Sequence, residues 1–448
     1  MQKMTRRTML GTLAAVPLAV AAAGAEGVER MSAAERKLAG ETLLAYFAKI
    51  GPMLFRQPGG FLKHPTLSPT QPGKTYSAEL WDWDTYWTAR GLFRLAKLTG
   101  DAELHKQTCE HAQGSLLSFF EAQAEDGRIP IMISVGNKDF FGSTKPGRLK
   151  STNQAKPVMG QLALLLADEL GEVEWFRADF EKLLRFYASW GVDNLSGVGL
   201  YVWGNDVAVG DDNDPTVFGR PEFSSANLLL NCLFYEDLRA AAEVARRLKR
   251  ADDAARLGKQ ADALGDCIQK NCWDARDRFY YTVDVQCRDR RTELLPGLPQ
   301  GMAMSWHCLP LKVQMFTGFL PMWCGLASSQ QAEAMVQANY LADDRLRARG
   351  GVRSLSSLET MYSLEAMSGN PSNWLGPVWI IANYFVWKGL LAYGYKDAAA
   401  ELADKTMRLL ADDLAKTGTL NEYYHPDTGA ALSHQGFLDW NLLVLEMM

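Results

Sequence analysis

Histidine is scarce in this sequence, with six in 448 residues, and no H-E-x-x-H motif occurs. That excludes the helical zinc pair of a metalloprotease. The seven cysteines, Cys109, Cys232, Cys267, Cys272, Cys287, Cys308 and Cys324, form no C-x-x-C pair, and their odd number leaves at least one unpaired. A disulfide framework or a zinc site is therefore not expected, and neither is a cofactor. No segment concentrates Lys and Arg, and the net charge is −5, so there is no nucleic-acid footprint. No Pro/Gly/Ser-rich linker interrupts residues 26–448. They are read as a single domain, with no obligate protein partner.

What is present begins with a targeting segment. Arg6-Arg7 precedes an Ala-rich, mildly apolar stretch that ends in Ala23-Gly24-Ala25. Paired Arg, a short apolar region and small residues at the cleavage point describe a twin-arginine export signal over residues 1–25. The apolar run is too short for a stable membrane span. The expected location is periplasmic or secreted.

Helical periodicity dominates the rest. Phe176, Phe180, Leu183, Leu184 and Tyr187 share one helical face. Gln161 to Leu170 is apolar nearly all round, with Gly171 as its stop. Similar couples of an apolar and a charged helix follow Ser225 and Trp379. Asp277 to Val285 is the clearest strand signal and reads as a short hairpin. Arg288 to Gln300 reads as a long loop.

Six polar-aromatic segments read as loops, each immediately before an apolar helix: residues 81–87, 153–157, 211–227, 316–323, 373–379 and 436–440. From Trp81 to Phe437 there are five intervals of about 71 residues, room for two helices each. The expected fold is all-α, an (α/α)6 barrel of six helical hairpins with a few short β-hairpins in its loops. The six segments would meet at one end as an aromatic, acidic cleft.

Two constellations carry chemistry. Asp206, Asp211, Asp212 and Asp214 lie within nine residues among Gly and Pro. Crowded carboxylates raise each other's pKa, as a glycosidase acid requires. A calcium loop or a solvated acidic turn would use the same residues, although the spacing is not that of an EF-hand. The second constellation is Asn421 to Gly429 (NEYYHPDTG), in which aromatics surround Glu422.

Four segments resemble, in order, motifs of the trehalase-like clan of (α/α)6 glycosidases: family 63, mannosylglycerate hydrolases and family 37 trehalases. Glu79 to Tyr86 is similar to E-x-x-x-W-D-[ST]-[YF]. Asp212-Asn213-Asp214-Pro215 is similar to D-N-S-P. Asn373 to Tyr384 is similar to W-x-G-P-V-W-x-x-x-N-Y. Glu422 to Gly429 is similar to E-x-[YF]-x-P-x-T-G. The resemblance implies that Asp212 is the general acid and Glu422 the general base. It implies an inverting hydrolase of a terminal α-glucoside or α-mannoside. Trp83, Asp84, Asn153, Gln154, Asp206, Asn213, Trp374 and Trp379 are the expected sugar-binding residues. The chain departs from the clan before Asp212, where Ala208-Val209-Gly210-Asp211 replaces Glu-Ser-Gly-x, and it lacks the trehalase Q-W-D-x-P motif.

Two other readings use the same fold. A sugar epimerase or polysaccharide lyase would rely on His307, His425 or His434. A carbohydrate-binding relative would have lost catalysis.

Overall fold

The computed structural model describes residues 30–287, 307–342, 344–366 and 369–448. The export signal expected at residues 1–25 and the loop expected at Arg288 to Gln300 lie outside them. Helices carry the chain: α1 (Ala33–Ile50), α2 (Asp82–Thr99), α3 (Ala102–Glu121), α4 (Met159–Leu170), α5 (Phe180–Asp193), α6 (Leu228–Arg247) and α7 (Ala251–Cys272). The one-turn α8 (Leu320–Trp323), α9 (Ser329–Val336), α10 (Ile380–Ala392) and α11 (Lys396–Thr417) follow. Their ends obey side-chain chemistry. Ser32 with Glu35 and Ser328 with Gln331 form capping boxes, which satisfy the otherwise unpaired first-turn N–H groups. Gly100, Gly171 and Gly418 close α2, α4 and α11 in the left-handed conformation.

Six elements form an inner ring: α2, α4, α6, α8, α10 and a 3₁₀ segment, Trp440–Glu446. Each packs on the next, and the last packs back on α2. Buried residues run nearly all round α10, as an inner helix requires. The outer helices bury one face each; α7 buries Leu257, Ala261, Leu264 and Ile268. This is the expected (α/α)6 barrel. Ring closure requires Gly91: a Cβ there would lie 2.3 Å from Leu442 Cβ.

Details differ from the sequence reading. Residues 82–87 are not a loop before a helix but the first turns of α2 itself. Residues 316–323 are themselves the fourth inner element, a 3₁₀ turn running into α8. The sixth inner element is a 3₁₀ helix rather than an α-helix. Residues 277–285 do not fold on themselves as a hairpin. β7 (Phe279–Tyr280) pairs with β6 (Trp273–Asp274), whereas β8 (Val283–Asp284) pairs with β5 (Ser225–Ala226) and β9 (Leu309–Pro310). β7 thus closes a local hairpin one turn earlier, with β6, while β8 takes partners distant in sequence.

Candidate active site

Segments leading into α2, α4, α6, α10 and the last inner element line a cavity of about 850 Å³, whereas residues 316–323, expected at the same cleft, do not reach it. Strand β3 (Glu79–Trp81) pairs with β4 (Met132–Ser134) and leads directly into α2. Glu79, Trp81, Trp83 and Asp84 all line the cavity from this stretch. The next residue inward, Asp82, is fully buried. Its carboxylate accepts the backbone N–H of Lys156 at 2.7 Å and faces Lys156 Nζ at 3.0 Å. The ammonium also lies 5.6 Å from the Trp83 ring centre, within cation–π range. This pair clamps the 153–157 segment to the start of α2.

The acidic loop sorts its four Asp residues into different environments. Asp212 is half-buried and lines the cavity; Asn370 Nδ2 donates to its Oδ2 at 3.0 Å. Burial raises its pKa. Asp206 also lines the cavity, and its carboxylate accepts the N–H of Gly219 at 2.8 Å. Asp211 and Asp214 are wholly buried beneath. Burial, then the charge of Asp214, pushes Asp211 well above the carboxylate range. Asp214 holds the N–H of Thr216 at 2.6 Å and Asn227 Nδ2 at 2.8 Å. Asp214 is raised as well, by burial first; two like charges so close disfavour joint ionisation.

Glu422 stands in a hairpin whose turn is the 426–429 segment: its N–H donates to Ser433 O at 3.1 Å, and Leu432 N–H donates to Tyr423 O at 3.1 Å. That register sets His434 against Glu422, with the imidazole Nδ1 on carboxylate Oε2. Burial raises Glu422; the His434 contact opposes that rise, and the charge of Asp212 adds to it. The contact raises His434 in turn. On the adjoining wall Asp84 is pushed up to about 7, by burial first and then by the charge of Asp82.

Of the ten expected site residues, Trp83, Asp84, Asp206, Asp212 and Glu422 line this one cavity. The other five stand behind its wall. Asn153 Nδ2 donates to Asn205 O and Val207 O and its Oδ1 accepts Gly204 N–H, so it shapes the loop ahead of Asp212. Gln154 is buried against Ser189. Asn213 ties the acidic loop to the 373–379 segment, accepting Trp374 N–H at 2.6 Å. Trp374 and Trp379 are fully buried and stack on each other at 3.9 Å, with Trp379 also stacked on Tyr423. Neither ring lines the cavity; Trp374 backs Trp83, whose centroid lies 6.4 Å away. Aromatic-polar composition does not distinguish a ring facing the cavity from one layer below.

Sequence reasoning missed Lys156, Asn370 and Tyr76, all of which line the cavity. It assigned His434 to a rival chemistry only. Hairpin register about the Pro-Asp-Thr-Gly turn is the signal that pairs His434 with Glu422. Of the other histidines, His425 holds the turn through Asp427 N–H and Thr428 N–H, and His307 is exposed.

Comparison with known proteins follows the same geometry. Residues 77–438 match the family described as mannosylglycerate hydrolase MGH1-like glycoside hydrolase domain. Mannosylglycerate hydrolase MGH1 of Selaginella moellendorffii is 36% identical over 229 residues, 49% of this chain and 38% of that protein. The match thus spans well under half of that relative's length. Among solved structures, the family 63 mannosylglycerate hydrolase of Thermus thermophilus in complex with glucose superposes with a TM-score of 0.61 at 20% identity, covering 92% of this chain and 98% of the other. Neutral trehalase Nth1 of Saccharomyces cerevisiae gives 0.59 at 17% identity, covering 86% and 74%. Those two likenesses concern the barrel. The match over residues 77–438 encloses every cavity residue named above except Tyr76, and by it the chain belongs to the MGH1-like glycoside hydrolase family.

Proposed function

We propose that this chain is an exo-acting, inverting hydrolase of an α-glycosidic bond, which releases one neutral hexose. The observation that carries this reading is that Asp212 and Glu422 open onto the same cavity, each in a different electrostatic setting. Asp212, raised by burial, donates its proton to the leaving oxygen. Glu422, held toward its charged form by His434, takes a proton from water as that water attacks the anomeric carbon from the opposite face. Both carboxyls are raised by burial, and they differ in their partners, Asn370 for Asp212 and His434 for Glu422; a difference in setting of this kind is what assigns acid and base roles. Inversion requires the two groups to stand about 6.5–9.5 Å apart, leaving space for the water.

Asp84 and Trp83 on the floor are placed to hold the sugar. Carboxylates at Glu79, Asp84 and Asp206 disfavour uronic or sulfated sugars by like-charge repulsion. Glucose is expected ahead of mannose. The names of the relatives require mannosylglycerate on the substrate panel, and the fold of trehalase requires trehalose. Because acid/base hydrolysis needs no Lewis acid, activity should survive EDTA. Full loss restored by calcium would turn the acidic loop into a metal site.

The test is hydrolysis of a panel of α-glucosides and α-mannosides, with the first-formed anomer read by NMR. Asp212→Asn and Glu422→Gln should each cost about 10²–10⁴ in turnover. Undiminished activity in both variants would remove this pair from the mechanism. A second reading, an epimerase or lyase, draws on the presence of His434 in the cavity; epimerised or unsaturated products would favour it. Residues 1–25 are proposed as the export signal and residues 26–448 as one catalytic unit working in the periplasm or outside the cell. N-terminal sequencing should find a mature chain beginning near Glu26.

A further inference from the structure

The cavity is graded from floor to mouth. Its floor residues Phe437, Trp440, Trp83 and Asp84 are 1%, 3%, 4% and 7% exposed. Asp212 and Asp206 are half-buried. At the mouth stand Phe218, Val207 and Phe140, at 38%, 49% and 59%. Large apolar side chains left in water around a concave site mark a surface that awaits an apolar ligand.

The loop that bears the acid places Val207 and Phe218 on the leaving-group side. Val207 and Phe218 belong to the same loop as Asp212, and Asp206 pins that loop by accepting Gly219 N–H at 2.8 Å. A general acid must touch the leaving oxygen, so its own loop flanks the leaving group. Across the mouth, rings run in an unbroken series: Phe140 to Phe141 at 5.1 Å, Phe141 to Trp81 at 5.7 Å, Trp81 to Tyr76 at 5.8 Å, and Tyr76 to His434 at 5.1 Å. The loop bearing Phe140 is held by Asp139, whose carboxylate accepts Ser143 N–H at 2.9 Å and Thr144 N–H at 2.8 Å. The mouth is therefore pre-organised rather than loosely apolar.

We infer that the leaving-group side of this cavity takes an apolar, ring-bearing aglycone. The substrate class is then an α-hexoside of an apolar alcohol or phenol, rather than of a hydroxy acid or a second sugar. This rests on the hydrolase reading above. The acyclic polar portion of a glyceryl or glyceric acid glycoside would leave Phe140, Phe218 and Val207 in water, whereas a cyclohexyl or phenyl ring would cover them.

The experiment compares cyclohexyl, glyceryl and D-glycerate α-glycosides, as glucosides and as mannosides, which differ in aglycone polarity. One methylene in an apolar pocket is worth roughly 10–200-fold in kcat/KM. The cyclohexyl glycoside should therefore lead by at least about tenfold. Phe140→Ser and Phe218→Ser, both exposed positions, should each lower the cyclohexyl-to-glyceryl ratio several-fold. Equal rates, or a lead for the glyceryl or glycerate compound, would overturn the inference while leaving the hydrolase reading intact. If none of the glycosides is cleaved, the hydrolase reading falls, and equilibrium binding to Asp212→Asn, followed by tryptophan fluorescence, decides the mouth alone. Tighter binding of the cyclohexyl glycoside would support it, and equal or weaker binding would overturn it.

Discussion

Glu422 and His434, twelve positions apart, are joined across a hairpin by a hydrogen bond from imidazole to carboxylate. His434 adopts φ 34°, in the left-handed region that non-glycine residues seldom occupy. A conformation of that kind costs about 1–3 kcal/mol and persists where its surroundings hold it. The other titratable groups that act on or sense Glu422 are Asp212 on the acidic loop, Tyr76 ahead of β3, Tyr423 next to it in the chain and Asp439 beside the last inner element. All four carry or would acquire negative charge. His434 is the contact that favours the ionised base.

Replacing His434 by Gln should therefore move the acid limb of the pH–rate profile to higher pH. Glu422 must be charged to act, and without the imidazolium its burial is opposed less. The kcat near pH 5 should fall by about tenfold, well inside the worth of a general base, and recover as pH rises. A purely structural role would lower the whole profile without displacing it. The stability sign is separate. His434 is raised in the folded state, so its contribution is fully present below the unfolded value of about 6.5 and is lost as pH climbs through the folded one.

The second carboxyl pair, Asp84 with Asp439, predicts a stability change of definite sign. Asp439 is raised well above its usual range by burial and then by the charge of Asp84; Asp84 itself is raised to about 7. Carboxyls raised on folding stabilise fully below the unfolded value of about 3.9, and that contribution is lost as pH rises through the folded value. The protein should melt earlier at pH 8 than at pH 6. Asp439→Asn keeps a group able to donate to Asp84 and removes one charge. It should raise the Tm at pH 8 by about 1–2 °C and flatten the slope with pH. A steeper slope in scanning calorimetry would refute the shared proton.

Lys156→Met should be among the most damaging single changes near the cavity. It leaves the fully buried Asp82 without its cation while the backbone contact remains. Removing one partner of such a pair costs about 3–5 kcal/mol. Denaturant unfolding should show that loss, and Asp82→Asn in the same chain should restore most of it.

Gly91→Ala tests the closure of the ring. The added methyl would meet Leu442 at 2.3 Å, between the first and last inner elements. Overpacking of this kind costs about 1–3 kcal/mol. Leu442→Ala in the same chain should recover part of it, because the cavity it opens receives the methyl.

The amino-acid sequence by itself determined the barrel and pointed to Asp206, Asp212 and Glu422, which line its cavity. Helical periodicity and a spacing of about 71 residues are local and additive, so six hairpins were legible without coordinates. The clustering of Asp206 to Asp214 and the aromatic setting of Glu422 were legible for the same reason. Tertiary structure decided which of those side chains see the cavity. Trp83 and Trp374 carry the same chemistry in similar motifs, yet one lines the wall and the other lies under it. Lys156 entered the site only because Asp82, 74 positions earlier, captures its backbone. The residues at 277–285 chose partners from β5, β6 and β9 over each other. In each case the outcome rests on which distant group supplies a hydrogen bond or excludes water, and one-dimensional patterning does not encode that competition.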